Sequence, residues 1–208
     1  MKEKTSAARL PARERLLAAA DELFYQHGIN VVGIDRVIEK AGVAKASLYE
    51  CFHGKEDLIR SYVQMRDERR RARILERMKP LRHPKDKAFA VFDILSELAA
   101  QPDFRGCAFN RAGAESAPEG QIRSACEDAR EWMRQLFLGI AHEAGARDPG
   151  DLARQLTVLY DGAAVSAQFG GGATAVASAR ATAGLLLDAA AKSGPGRTGS
   201  SRRRRTRR

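Results

Sequence analysis

Hydrophobic residues recur every three or four positions along most of the chain, and no segment alternates with the period of two that a strand needs. Leu16, Ala20, Leu23, Phe24 and His27 predict a first helix that meets Gly28, a natural residue for ending it. Ile34, Val37, Ile38 and Ala41 predict a short second helix closed by Gly42. Leu48, Cys51 and Phe52 mark a third that ends near Gly54, and Leu58, Tyr62 and Met65 open a fourth that continues to about Met78. Beyond Pro80 the chain restarts at His83-Pro84, since proline suits a first helical turn, and Phe89, Phe92, Leu95 and Leu98 carry the pattern to Pro102.

A short segment from Phe104 to Ser116 follows. Ala129, Trp132, Met133, Leu136, Phe137 and Ile140 then form a strong amphipathic helix that breaks at Gly145. Asp148 is expected to cap the next helix, with Pro149 at its first position and Asp151 at its third, where a carboxylate meets the positive end of the dipole. That helix carries Leu152, Leu156, Leu159, Tyr160 and Ala163, and a last one spans about residues 174–191 after Gly170-Gly171-Gly172. The expectation is an all-α protein of about nine helices.

The second and third helices are joined by Ala41-Gly42-Val43-Ala44, a turn of the length a helix-turn-helix unit uses. In such a unit one helix lies in the major groove and its predecessor braces it across the backbone. Val43, Leu48 and Phe52 fit an inward face, while Ala46, Tyr49, Glu50 and His53 share another. Lys45 can reach guanine or a phosphate, Ser47 a base or a phosphate, and the Tyr49 hydroxyl a phosphate. Lys55 opens the next helix, where a cation beside free backbone N–H groups suits a phosphate oxygen. A plain helical hairpin would show similar spacing.

The residues favour the first reading. The run GIDRVIEKAGVAKASLYECFHGKEDLI, Gly33 to Ile59, resembles the N-terminal domain of the TetR family of bacterial repressors through Ala41-Gly42-Val43, Ser47-Leu48-Tyr49, Phe52, and Lys55 followed by Asp57-Leu58. The resemblance implies an N-terminal helix-turn-helix domain of three helices over residues 1–54 and a helical effector-binding and dimerisation domain over 55–191. It also implies a homodimer formed through the last two helices, whose recognition helices enter successive major grooves of a near-palindromic operator in double-stranded DNA. The DNA-contacting set expected on these grounds is Gly33, Arg36, Lys45, Ala46, Ser47, Tyr49, His53 and Lys55. Three positions depart from the family pattern. Gly33 stands where Thr or Ser usually caps the second helix, so a side-chain phosphate contact is lost there. Cys51 replaces a common His or Tyr, and Glu50 puts an acid on the recognition helix, where it either accepts from cytosine N4 or points away from the bases, the second being favoured.

Charge is unevenly spread. The net formal charge of +10 divides into +1 over residues 1–60, +6 over 61–90, −5 over 91–191 and +8 over 192–208. The tail KSGPGRTGSSRRRRTRR cannot bury enough apolar surface to fold, so residues 192–208 are expected to be disordered and solubilising, or an arm that adds salt-dependent phosphate contacts. Arg66, Arg69, Arg70, Arg71 and Arg73 give the fourth helix a basic band, expected to be a solvated face pairing with Asp67 and Glu68.

Between Ala163 and Ala191 twelve residues are alanine and four glycine, which lets helix axes approach closely and suits the dimer interface. The effector pocket implied by the resemblance is assigned to Tyr62, Phe92, Cys107, Asn110, Trp132 and Tyr160, a mostly apolar lining with a few polar handles. The segment FRGCAFNRAGAE resembles a stretch found in one branch of the TetR regulators, and Cys107 within it reads as a buried small hydrophobe rather than a thiol sensor.

Other classes fare worse. The histidines are dispersed, and HExxH, GxSxG and a glycine-rich phosphate loop are all absent, so an enzyme is not expected. Cys51, Cys107 and Cys126 are too few and too scattered for a disulfide framework or a zinc site, and no cofactor or metal is expected. A non-specific nucleoid or RNA-binding protein driven by the arginine tail is the remaining alternative. Without a spanning apolar run or a secretory signal pattern, the expected location is the cytoplasm, with no membrane partner.

Overall fold

Amphipathic spacing is converted into two hydrophobic cores that share two long helices. A computed structural model of the chain describes residues 10–169 and 172–193, which hold nine α-helices and no strand among the described residues. They are α1 Ala12–His27, α2 Ile34–Ala41, α3 Lys45–Cys51, α4 Lys55–Met78, α5 Pro84–Ala99, α6 Ala108–Glu115, α7 Gln121–Glu143, α8 Pro149–Ser166 and α9 Gly172–Ser193. A single 3-10 turn, Ala167–Phe169, follows α8. Most of the basic tail, from residue 194 on, lies outside the described residues, as do Gly170 and Gly171. Lys192, which the sequence reading assigned to that tail, stands in the last turn of α9.

The ends of the helices follow local chemistry. Gly42 takes the left-handed conformation, φ 60° and ψ 44°, which lets α2 stop and α3 start within three residues. The Asp148 carboxylate accepts the Asp151 backbone N–H at 2.9 Å, the cap expected for α8. The segment Phe104 to Ser116 is helical only over α6, because Gly106 adopts φ 83° just before it.

The first core gathers Leu16, Leu23, Phe24, Val37, Leu48 and Phe52 from α1 to α3 and their connections, but it does not close at residue 54. Leu58, Ile59, Tyr62 and Val63 of α4 belong to it, and so do Phe109 and Ala112 of α6 and Ile122 and Cys126 of α7. The second core packs α5, α7, α8 and α9 around Phe92, Phe137 and Tyr160, whose ring centroids lie 6.2 to 6.3 Å apart. Each such ring, once buried, contributes about 1.5–3 kcal/mol of transfer free energy. Ile74 places the far end of α4 in this second core, so α4 runs through both.

Candidate nucleic-acid interface and interdomain cavity

α3 has the two faces its sequence suggests. Leu48 and Phe52 are buried and Val43 half-buried, whereas Ala46, Tyr49, Glu50 and His53 are exposed, Tyr49 to 53%. An apolar tyrosine ring left open to solvent on so short a helix is not explained by packing within the chain. The turn before α3 is clamped from α1, since Arg15 donates to the carbonyls of Ala41 at 3.2 Å and Gly42 at 3.0 Å. Arg13 lies over the Phe52 ring at 5.1 Å. These α1 arginines carry no periodic signal, and sequence reasoning missed them.

The eight residues proposed to meet DNA lie on α2 and its N-cap, on α3 and the turn after it, and at the start of α4. Gly33 is the N-cap of α2 in extended conformation and makes no side-chain cap. Arg36 is exposed, with Nη2 3.2 Å from His27 Nε2. Lys45 Nζ lies 3.1 Å from Asp35 Oδ1, and this hydrogen bond holds the ammonium above its usual range. Ser47 is half-buried, and Lys55 Nζ reaches the Asn30 carbonyl at 3.5 Å. Asp57, at the third position of α4, accepts the His53 backbone N–H at 3.2 Å. The hydrogen bond from Arg60 holds the Asp57 carboxyl down at about 2, against an opposing push from burial.

A cavity of about 320 Å³ opens where α1 meets the C-terminal helices. Asp21 and Tyr25 come to it from α1, Arg66, Arg69, Arg70 and Arg73 from α4, and Ile94, Leu95 and Leu98 from α5. Phe104, Cys107, Phe109 and Tyr160 complete much of the wall. Of the residues assigned to a pocket from sequence, Cys107 and Tyr160 therefore line this one. Burial pushes the Tyr160 hydroxyl up to about 12 and the Cys107 thiol up as well, so both stay protonated at neutral pH. A protonated buried thiol suits the reading of Cys107 as a small hydrophobe.

The other four residues go elsewhere. Phe92 is fully buried between Phe137 and Tyr160, and Tyr62 is buried edge-on against Phe24 at 5.6 Å. Asn110 lines a separate cleft with Arg123 and Arg130. Trp132 lies beneath the Arg71 guanidinium at 5.2 Å.

The basic band of α4 pairs with Asp67 through Arg70 and Arg71, as expected, and Arg69 and Arg73 are exposed, but the band is not solvated throughout. Arg66 and Arg70 are not solvated: Arg66 is hydrogen-bonded to Asp21 and sits 3.9 Å over the Tyr25 ring, while Arg70 pairs with Asp67 at 2.6 Å and lies 4.2 Å over Phe109. The physical reason is that α4 is enclosed by α1, α6 and α7, whose aromatic rings and carboxylates offer these guanidinia better partners than water.

The segment FRGCAFNRAGAE ties α6 to the end of α1. The Tyr25 hydroxyl donates to the Gly106 carbonyl at 3.1 Å and accepts the Arg105 backbone N–H at 2.9 Å. Arg111 donates to the Tyr25 carbonyl at 2.6 Å, and Glu115 accepts the Asn30 backbone N–H at 3.1 Å. Gly106 and Gly28 hold φ 83° and 91°, a conformation L side chains rarely adopt, and a Cβ there would also displace the ends of the Gln168 and Glu115 side chains, so both positions favour glycine.

Comparison with known proteins follows the same outline. Residues 16–62 match the model of bacterial regulatory proteins of the tetR family. The HTH-type transcriptional regulator LmrA of Bacillus subtilis is 31% identical over 125 residues, 58% of this chain and 66% of that one. The HTH-type transcriptional activator FasR of Mycolicibacterium smegmatis is 41% identical over 59 residues, 27% of each chain. The chain thus spans just under two thirds of LmrA and much less of FasR.

Solved structures match over nearly their whole length. The TetR-family transcriptional regulator SCO4454 of Streptomyces coelicolor is 30% identical with a TM-score of 0.82, covering 86% of this chain and 96% of that one. A TetR-type transcriptional regulator of Streptomyces avermitilis is 31% identical with a TM-score of 0.79, covering 87% and 98%. Among the described residues no helix is long and apolar enough to cross a membrane. Regulation of transcription through DNA binding, not enzymatic turnover, is the activity of these relatives, and the chain belongs to the TetR family of transcriptional regulators.

Proposed function

We propose that the protein is a ligand-responsive repressor that binds a near-palindromic operator as a homodimer and leaves it when a small molecule fills the cavity beside α4. In this reading residues 1–54 read DNA, and residues 55–191 hold the effector and form the dimer. Gly33, Arg36, Lys45, Ala46, Ser47, Tyr49, His53 and Lys55 make the contacts, with Lys45 exchanging Asp35 for a phosphate or guanine. The observation that carries the reading is the cavity wall itself. Asp21 and Tyr25 belong to α1, so an occupant held by α4, α5 and α8 also touches the unit that carries the recognition helix. To release DNA the ligand must favour the non-binding arrangement by a few kcal/mol.

The dimer is supported by unpartnered apolar surface on the last two helices. Val158 and Val165 of α8, Phe169 after it, and Leu185 of α9 are exposed, Phe169 to 82%. Soluble monomers rarely leave so many large apolar residues open on adjoining elements.

Footprinting of the full chain on the DNA flanking its own gene, at about 150 mM salt with excess unrelated competitor, tests the reading, because non-specific binding is weak there. A protected near-palindrome that disappears in Tyr49→Ala is the expected result. Binding competed away at every segment would reject a specific operator in that region.

A further inference from the structure

Arginines 66, 69, 70 and 73 recur at the spacing of one helical face, and all four reach the cavity. Their carboxylate partners are too few. Asp21 is shared by Arg66 and by Arg69 at 3.0 Å, Asp67 by Arg70 at 2.6 Å and Arg71 at 2.5 Å, and Glu97 by Arg73 at 2.7 Å and Arg77 at 3.0 Å. Every acid in this row therefore holds two guanidinia, and each pairing leaves a positive charge over. Among the residues that line the cavity, the four arginines stand against two carboxylates, Asp21 and Asp103. The lining from α5 and the loop after it, Ile94, Leu95, Leu98 and Phe104, is apolar.

We propose that this cavity takes an organic anion with an apolar body, a carboxylate or comparable acid on an aliphatic or aromatic frame. This inference rests on the reading of the cavity as the effector site and names the chemistry of its occupant. The acid group engages Arg66 and Arg69, where a planar guanidinium meets a carboxylate in two parallel hydrogen bonds, and the body lies against Leu95, Leu98 and Phe104. An uncharged occupant would leave the surplus charge unmet, and a cation would add to it. The same geometry supplies the link to DNA release. Asp21 is the α1 partner of Arg66 and Arg69, so a ligand acid competes with it and loosens α1 from α4.

The test is calorimetric titration of the full chain with matched pairs: octanoate against octanol, and naphthoate against naphthylmethanol. Each acid is expected to bind at least about tenfold more tightly than its alcohol. Arg69→Gln, at an exposed position, and Arg66→Gln as a second variant should remove most of that advantage while leaving the alcohols unchanged. Asp21→Asn should tighten the acids, because the competing carboxylate is gone. Alcohols that bind as well as their acids, acids that do not bind, or an acid preference indifferent to both arginine variants would overturn the proposal. Acids that bind with the expected signature but leave the operator footprint intact support the anion site and reject the effector reading. Release of DNA by an uncharged or cationic compound, without acid binding, does the reverse.

Discussion

The hydroxyl of Tyr25, in the last turns of α1, is bonded on both sides by the backbone before α6, donating to the Gly106 carbonyl at 3.1 Å and accepting the Arg105 N–H at 2.9 Å. One side chain thus anchors the loop that lines the cavity to the helix that supports the recognition unit. Tyr25→Phe keeps the ring under Arg66 but leaves a donor and an acceptor unmet. Chemical denaturation should show a loss of about 1 kcal/mol, the usual worth of a part-buried hydrogen bond. An unchanged midpoint would mean that water replaces the hydroxyl without cost.

Gly33 offers an improvement. It holds the extended conformation of an N-cap, φ −74° and ψ 154°, and nothing lies within 4 Å of a Cβ placed there. Gly33→Ser should stabilise the fold by a few tenths of a kcal/mol up to about 1, through the cap and the reduced freedom of the unfolded chain. Operator affinity should rise as well, because the hydroxyl adds a phosphate contact. A rise in melting temperature with unchanged DNA affinity would place α2 away from the backbone.

Acid should loosen the start of α4. Arg60 and the His53 N–H hold the Asp57 carboxyl near 2, below the ordinary value of 3.8. A depressed carboxylate stabilises the folded state above its unfolded pKa and loses that contribution as pH falls from about 4 toward 2. Asp57→Asn should flatten the stability profile in that window. Parallel profiles for wild type and variant would assign acid sensitivity to other groups.

Phe92 should behave as core. With no exposure and two aromatic neighbours, Phe92→Ala is expected to cost about 3–5 kcal/mol in unfolding experiments. A stable variant with altered effector response would instead make it a pocket residue.

Leu185→Arg places a charge on the exposed face of α9. Sedimentation at micromolar concentration should then show a monomer where wild type shows a dimer, with the helical signal retained. A dimer that survives would move the interface elsewhere.

Much of this architecture was legible in the sequence because its determinants are local. Gly42, Gly54 and Pro84 punctuate α2 to α5 where expected, and the Leu48–Phe52 face of α3 follows from spacing alone. The Asp148 cap spans three residues and is equally visible. The cavity was not legible, since it depends on contacts between residues far apart in sequence, such as Asp21 with Arg66 and Tyr25 with Gly106. Periodicity marks Phe92 and Tyr160 alike as apolar and inward. Only the packing of α5 against α7 and α8 sends one into the core and leaves the other at the cavity wall. Arg66 and Arg70 within the arginine band were misread for a related reason, because a run of like charge reads as solvated until distant partners such as Tyr25 and Phe109 are known.

The continuity of the first core across residue 54 bears on how such regulators diversify. Phe109, Ala112 and Ile122 fill the same interior as Leu16 and Phe52, so the DNA-reading end is not an interchangeable cassette. A foreign head joined at that boundary would meet a socket shaped for another, and the chimera should melt below both parents. If α3 reads DNA as proposed, new operator preference is most accessible by point changes at Ala46, Tyr49 and Glu50, which face solvent, whereas the exposed His53 also holds Asp57 at the start of α4.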